Sequence, residues 1–409
     1  KSMSGWNFDM KPKKVERVHT KHMKIATKIP TPQSLKVLKM LDKYESRSMH
    51  GQLPVVWDRA EGFSVYDSSG NRWIDFTSGI FVANAGHSNP LVSKELKKII
   101  DSKLLHTYTF ASKVRADFLK KLMEITPKQF EKAFLLSAGT EATECAVKLM
   151  RMNGLKKSPS NLGIISFEGS MHGRTMLAEM LKGDSKASSW VGYTDPNIHS
   201  LPFPYPWTAG SENESEAYWR KRFQDDMAKL IKNGLKINNV CGFMLESYIG
   251  WGAVFFPVGY VSALSEFAKK NGILVAFDEI QGGFGRTGKM FAYQHYGVEP
   301  DILCLGKGIS GSVPLSAVIA SRKIMDLPGV GSMSSTHSAN PVSCAAGLAN
   351  LKAITEGGII KESARKGRIL HERLEKLQQK YPDRIARVLG KGLLAALLIK
   401  RKGKAEPDT

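Results

Sequence analysis

Short apolar runs alternate along this chain with stretches whose apolar residues recur every three or four positions. The runs lie at residues 133–136, 162–167, 240–245, 273–277, 302–305 and 315–320, and each predicts a buried strand. Helical spacing appears at 91–105, where Leu91, Leu96, Ile99, Ile100 and Leu104 share a face, and at 114–125, which Pro127 stops. Further helices are predicted over 141–151, 259–270, 341–355 and 361–380. A strand that is apolar at successive positions, rather than at alternate ones, needs cover on both faces. Such strands interleaved with helices predict an α/β fold built on a mostly parallel central sheet. Residues 1–53 differ in being polar and basic, with one amphipathic stretch at 34–44.

Composition narrows the picture. The 409 residues are 42% hydrophobic and 24% charged, enough for a large core, which excludes a disordered or disulfide-stapled chain. The longest strongly apolar run, 392–399, is far too short to span a bilayer. The first thirty residues hold no apolar stretch of a secretory signal, and the start at Lys1 rather than Met leads us to expect a processed or incomplete beginning. Cys145, Cys241, Cys304 and Cys344 stand singly among apolar neighbours, which predicts buried free thiols in a reducing, cytoplasmic compartment. The net charge of +21 is spread over helices and the N-terminal segment without interleaved aromatics. That fits a solvated basic surface attracting small anions, so neither a nucleic-acid nor a membrane partner is expected.

Ligands on a mostly parallel sheet sit beyond the carboxyl ends of its strands. The polar residues just after the apolar runs are Ser137-Ala138-Gly139-Thr140, His172-Gly173-Arg174, Glu246, Asp278-Glu279 and Gly306-Lys307-Gly308. A competing signal is Gly283-Phe284-Gly285-Arg286-Thr287-Gly288-Lys289, which fits a dinucleotide loop and nearly fits a nucleoside-triphosphate loop, so a nucleotide-binding protein is the alternative of another class. Against it, Met290 stands where a metal-binding hydroxyl is needed, and Glu279 to Gly282 separate the glycines from the strand.

Asp278 and Lys307 close two apolar runs of one sheet. Each alone reads as a capping or solvated loop residue. Together they suit pyridoxal 5'-phosphate, which needs an amine for its aldehyde and a carboxylate against its pyridine nitrogen. Glycines on both sides of Lys307 allow close backbone approach. Ser137 to Thr140 join a strand to a helix, whose N-terminus offers N–H groups and a positive dipole end to a phosphate. The same residues also read as an ordinary helix cap, and the two roles are compatible.

The stretch from Phe277 through Asp278-Glu279-Ile280-Gln281-Gly282-Gly283-Phe284-Gly285-Arg286-Thr287-Gly288 resembles the class III pyridoxal-phosphate aminotransferases. So do Gly297-Val298-Glu299-Pro300-Asp301-Ile302, Leu305-Gly306-Lys307-Gly308 and Val313-Pro314-Leu315-Ser316-Ala317, and the likeness runs from about Val55 to Ile399. The resemblance implies fold type I, a large domain with a mostly parallel sheet plus a smaller α+β domain. Residues 1–65 would contribute to the small domain, 66–335 form the cofactor domain, and 336–409 supply the interdomain helix and C-terminal small domain. It implies Lys307 as the Schiff-base lysine and proton shuttle, Asp278 on the pyridine nitrogen and Gln281 on the ring hydroxyl. Gly139 and Thr140 would bind the phosphate. Thr336, in Ser335-Thr336-His337-Ser338-Ala339-Asn340-Pro341, would reach the phosphate of a partner subunit in an obligate homodimer.

The implied reaction is ping-pong transfer of an amino group from an ω-amino acid, 4-aminobutyrate-like, to a keto acid such as 2-oxoglutarate or pyruvate. An aminomutase, decarboxylase or lyase on the same fold is the alternative, because cofactor residues alone do not fix the reaction. Met171 stands where the family usually stacks an aromatic ring on the cofactor, and Arg174 where 4-aminobutyrate-like members hold a distal carboxylate. Ile80 replaces the tyrosine of ornithine-type members, which tilts the reading away from ornithine. Glu246 matches the family's switch glutamate, in an altered context of Ser247-Tyr248-Ile249-Gly250 followed by an unusual Trp251. The family's small domain normally runs several tens of residues beyond Ile399, whereas this chain closes with the polar tail 401–409. We therefore expect an incomplete small domain or a departure from the family there, with the α-carboxylate arginine not among these residues.

Overall fold

The computed structural model describes residues 6–184, 186, 188–207 and 215–400; the polar tail 401–409 lies outside them. The chain falls into two compact units, Lys1–Pro90 and Leu91–Thr409. The first holds a five-stranded antiparallel sheet, in which Arg59–Glu61, Ser64–Tyr66 and Arg72–Ile74 form a meander extended by Lys24–Ile25 and Val18–His19. Its helix, Pro32–Tyr44, starts where the Thr31 hydroxyl accepts the Ser34 N–H at 3.1 Å and Pro32 supplies a preset φ.

The second unit is organised by seven strands: β1 Lys132–Leu136, β2 Gly163–Phe167, β3 Ile198–Leu201, β4 Val240–Glu246, β5 Leu274–Asp278, β6 Ile302–Leu305 and β7 Ser316–Ala320. Their order across the sheet is β1-β7-β6-β5-β4-β2-β3. The run from β6 to β3 is parallel throughout, and β7 alone runs against both its neighbours. This is the mostly parallel sheet that uninterrupted apolar runs require. The six predicted strands all appear, displaced by a residue or so at their ends. The edge strand β3 does not show in the sequence because His199 and Ser200 break its apolar run, as an edge position tolerates. The helix Glu216–Lys232 also escapes notice, since its buried stripe of Trp219, Phe223 and Met227 is set among charges. The helix expected over 91–105 ends at Asp101, where Lys103 turns the chain at φ 60°.

The two faces of the sheet are packed differently. Helix α1, Gly139–Leu155, lays Ala142, Ala146, Leu149 and Met150 against Met244, Ala276, Cys304 and Val318. On the strands' intervening residues the side chains are aromatic: Phe243 and Phe277 meet Phe223, Phe267, Tyr293 and Tyr296. The small residues under α1 let its backbone approach the sheet closely, which carries its N-terminus to the ends of the strands. All four cysteines are free and buried. Among the described residues, no helix is long and apolar enough to cross a membrane.

The close approach is tightest at Gly154, near the end of α1. A β-carbon there would lie 2.0 Å from the Asn161 carbonyl oxygen and 2.7 Å from Cys241 Cβ. Alanine normally stabilises a helix interior relative to glycine. Here Gly154→Ala should instead destabilise the protein by about 1–3 kcal/mol through overpacking. Thermal unfolding of the variant checks this; a midpoint at or above that of the unaltered protein would contradict the packing described.

Candidate active site

Parallel pairing sets Asp278 opposite Glu246 on one side and Cys304 on the other, so β4, β5 and β6 end side by side. Lys307 follows β6 after Gly306 and opens the short turn Lys307–Ile309 at φ 44°, a conformation that non-glycine residues seldom adopt. A conformation of that kind persists only where its surroundings over-determine it. Two glycines enforce the crowding. A β-carbon on Gly139 would lie 3.0 Å from Ile280 Cδ1, and one on Gly306 would lie 3.1 Å from Ile280 Cγ2. Ile280, two residues past Asp278, is thus gripped by the start of α1 and by the chain entering Lys307.

Asp278 is buried with both oxygens engaged. Oδ1 accepts the Ile280 N–H at 3.0 Å, and Oδ2 lies 3.0 Å from His172 Nδ1. The His172 ring is fully buried, and its Nε2 has no partner among the described residues. Glu246 accepts the Met171 N–H at 2.9 Å. Burial, followed by the charge of Asp278, pushes its carboxyl up to about 8, so it carries a proton through most of the neutral range. Burial pushes the Lys307 amine below the ordinary lysine value, while Asp278 and Glu246 pull in the opposite direction. Glu279 is spent on structure: it accepts the Ser247 hydroxyl and the N–H groups of Ala292 and Tyr293, and burial raises it to about 7.

At the start of α1, Glu141 Oε2 accepts the N–H groups of Ser137 and Ala138 at 2.8 and 2.9 Å. The N–H groups of Gly139 and Thr140 have no acceptor among the described residues, which suits an anion at this helix end. The Thr140 hydroxyl lies 2.6 Å from that of Thr175, which in turn donates to Glu144 Oε1. A carboxylate only accepts, so Thr175 gives its proton to Glu144 and Thr140 gives its own to Thr175. The open backbone donors of this turn are therefore the N–H groups of Gly139 and Thr140, while the Thr140 hydroxyl is engaged with Thr175.

The remaining expected residues are placed as follows. Gln281 is half-buried, and its Oε1 is a buried acceptor without a partner among the described residues. Gly250 makes room beside it, since a β-carbon there would lie 3.1 Å from that oxygen and 2.9 Å from Glu246 Oε1. Met171 and Arg174 are exposed, and no carboxylate among the described residues pairs with Arg174. Thr336 is exposed on the loop before helix α2, Pro341–Glu356. Ile80 belongs to the first unit, at φ 61°.

A desolvated amine, a braced carboxylate, an orphaned amide oxygen and a turn with two open N–H groups are what pyridoxal phosphate requires. The glycines at 283–288 lie in a succession of turns and open no α-helix, so the geometry of a nucleotide loop is absent there. Sequence reasoning passed over His172 as a partner of Asp278. Its signal was its place in the His172-Gly173-Arg174 cluster, but only the fold brings it to a carboxylate 106 residues away.

Residues 45–408 match the family model described as Aminotransferase class-III. The 4-aminobutyrate aminotransferase of Mycobacterium leprae is 33% identical over 389 residues, which cover 94% of this chain and 86% of the relative. Diaminobutyrate–2-oxoglutarate aminotransferase of Haemophilus influenzae is 32% identical over 361 residues, 86% of this chain and 76% of the relative. Among solved structures, taurine:2-oxoglutarate aminotransferase from Bifidobacterium kashiwanohense, in complex with pyridoxal phosphate and glutamate, gives a TM-score of 0.83 at 28% identity. That match covers 91% of this chain and 84% of the other. Matched over most of its length by one family, and carrying a site whose donors and acceptors suit that family's cofactor, the chain belongs to the class-III aminotransferases, enzymes that work with pyridoxal 5'-phosphate.

Proposed function

We propose that the protein moves the amino group of an ω-amino acid, 4-aminobutyrate-like, to a keto acid such as 2-oxoglutarate or pyruvate in a ping-pong cycle, and that it does so as a cytoplasmic homodimer with shared sites. The observation that carries this reading is the Lys307 amine, desolvated at the ends of adjacent parallel strands beside Asp278 and Glu246. When bound, the cofactor supplies an electrophilic aldehyde and a pyridinium electron sink. Lys307 is the amine that meets it, and its lowered proton affinity makes Nζ both a nucleophile and a site for holding and moving a proton. Asp278, held by His172 and the Ile280 N–H, would keep a proton on the ring nitrogen. Gln281 would face the ring hydroxyl, Met171 the ring face, and the N–H groups of Gly139 and Thr140 the phosphate. Thr336 would reach the phosphate of the partner subunit.

Arg174 supports the choice of substrate. An exposed guanidinium with no carboxylate partner among the described residues is open to bind the far acid group of a substrate. Glu246, protonated near neutrality, would accept a neutral substrate end beside it without adding a charge. A 4-aminobutyrate aminotransferase and a taurine:2-oxoglutarate aminotransferase among the similar proteins point the same way. The four buried free thiols are compatible with a reducing compartment.

Borohydride treatment of the holoenzyme followed by peptide mapping should place the cofactor mass on the peptide containing Lys307, and Lys307→Ala should lose transamination while remaining folded. A label on any other lysine would remove Lys307 from this role. Arg174→Ala should lower kcat/KM for 4-aminobutyrate by about tenfold or more, and leave simple amines without a distal acid little changed. Equal losses for both classes would show that Arg174 serves the fold rather than the substrate.

A further inference from the structure

Thr336 is attached to the rest of its unit in an unusual way. Among the described residues its side chain makes no hydrogen bond, and its one polar anchor is its carbonyl oxygen, 2.9 Å from His106 Nε2. A carbonyl only accepts, so His106 carries its proton on Nε2 and donates. That bond is one of a set. Tyr108 Oη lies 3.1 Å from Ser334 Oγ, and Asn340 Nδ2 donates to the Leu105 carbonyl at 2.9 Å. The His106 and His337 rings meet edge-on, 5.5 Å apart at 68°. Asn340 divides its amide between two tasks, because its Oδ1 also caps α2 by accepting the Val342 N–H at 2.9 Å. Residues 105–108 are thus pinned to the whole loop from Ser334 to the helix start, across a separation of 230 residues at His106. Each segment holds one non-glycine residue in the left-handed region, Tyr108 at φ 50° and Ala339 at φ 54°. Two such conformations in the paired segments need fixing from outside the local chain.

We propose that His106 is a positioning residue for cofactor binding: by holding the Thr336 carbonyl it orients the Thr336 peptide and so sets where the hydroxyl points. The inference rests on the reading of Thr336 as a phosphate contact given above and adds what aims that contact. The arrangement has a physical reason. A side chain that must reach a ligand cannot also be tied to its own loop, so the loop is fixed through the backbone instead.

The test is a double-mutant cycle read by cofactor affinity, with holoenzyme stripped to apoprotein and titrated with pyridoxal phosphate by absorbance. His106→Phe keeps a ring against His337 but removes the donor, and should raise the dissociation constant by about three- to tenfold, the loss of one ordinary hydrogen bond. His106→Gln keeps an N–H donor and should recover most of the affinity, which a merely structural role of the ring would not predict. In a Thr336→Ala background His106→Phe should have no further effect, because His106 acts through Thr336. If His106→Phe does not fold, His106→Ala takes its place in the cycle. An undiminished effect of the His106 change in the Thr336→Ala background, or His106→Phe binding cofactor normally while Thr336→Ala binds weakly, would overturn the inference alone. Normal cofactor binding by Thr336→Ala would overturn the reading of Thr336 and the inference with it.

Discussion

Keeping a lysine amine out of water beside two carboxylates is the constraint around which the larger unit is arranged. Removing an ion from water costs several kcal/mol even after the protein relaxes, so the charges near Lys307 have to be apportioned. The sheet does this by register. Parallel pairing brings Glu246, Asp278 and the approach to Lys307 to one edge, where the charge of Asp278 raises the proton affinity of both Glu246 and Lys307. Glu246 responds by holding its proton to about 8. Asp278 has a neighbouring N–H and an imidazole instead. The two neighbouring carboxylates thus differ: one is braced by two polar contacts, and the other holds its proton into the neutral range.

The packing follows from the same need. Small side chains on one face of the sheet admit α1 so closely that Gly154, Gly242 and Gly139 have no room for a β-carbon without displacing a neighbour. The helix N-terminus then arrives beside Ile280, which also abuts Gly306. The helix start at Gly139, the Lys307 amine and the Asp278 carboxylate come from three separate parts of the chain, and one isoleucine sets the spacing between two of them. The opposite face of the sheet is filled with aromatic rings.

Much of this was legible in the sequence because strands covered on both faces announce themselves as uninterrupted apolar runs. The polar residue that ends such a run stands where ligands bind, which is how Asp278, Glu246 and Lys307 could be singled out. Elements lacking that signal were not legible. Strand β3 is an edge strand interrupted by His199 and Ser200, and the helix Glu216–Lys232 buries three large side chains from a sequence dominated by charge. Pairings between distant residues were equally hidden. Nothing in the spacing of the chain says that His172 meets Asp278, or that the Thr140 hydroxyl meets that of Thr175. Arg174 could be proposed from resemblance, but only the structure shows that no carboxylate among the described residues pairs with it.

Burial weakens the hold of the Lys307 amine on its proton, and the charges of Asp278 and Glu246 oppose that loss. This balance can be measured directly by reductive methylation of the cofactor-free protein with carbon-13 formaldehyde and an NMR titration of the methyl signal assigned to Lys307. The account predicts a midpoint below the ordinary lysine value of about 10.4. A further fall is expected in Asp278→Asn, where the larger of the two favourable charges is gone. A midpoint at or above the ordinary value, or one that Asp278→Asn leaves in place, would contradict it.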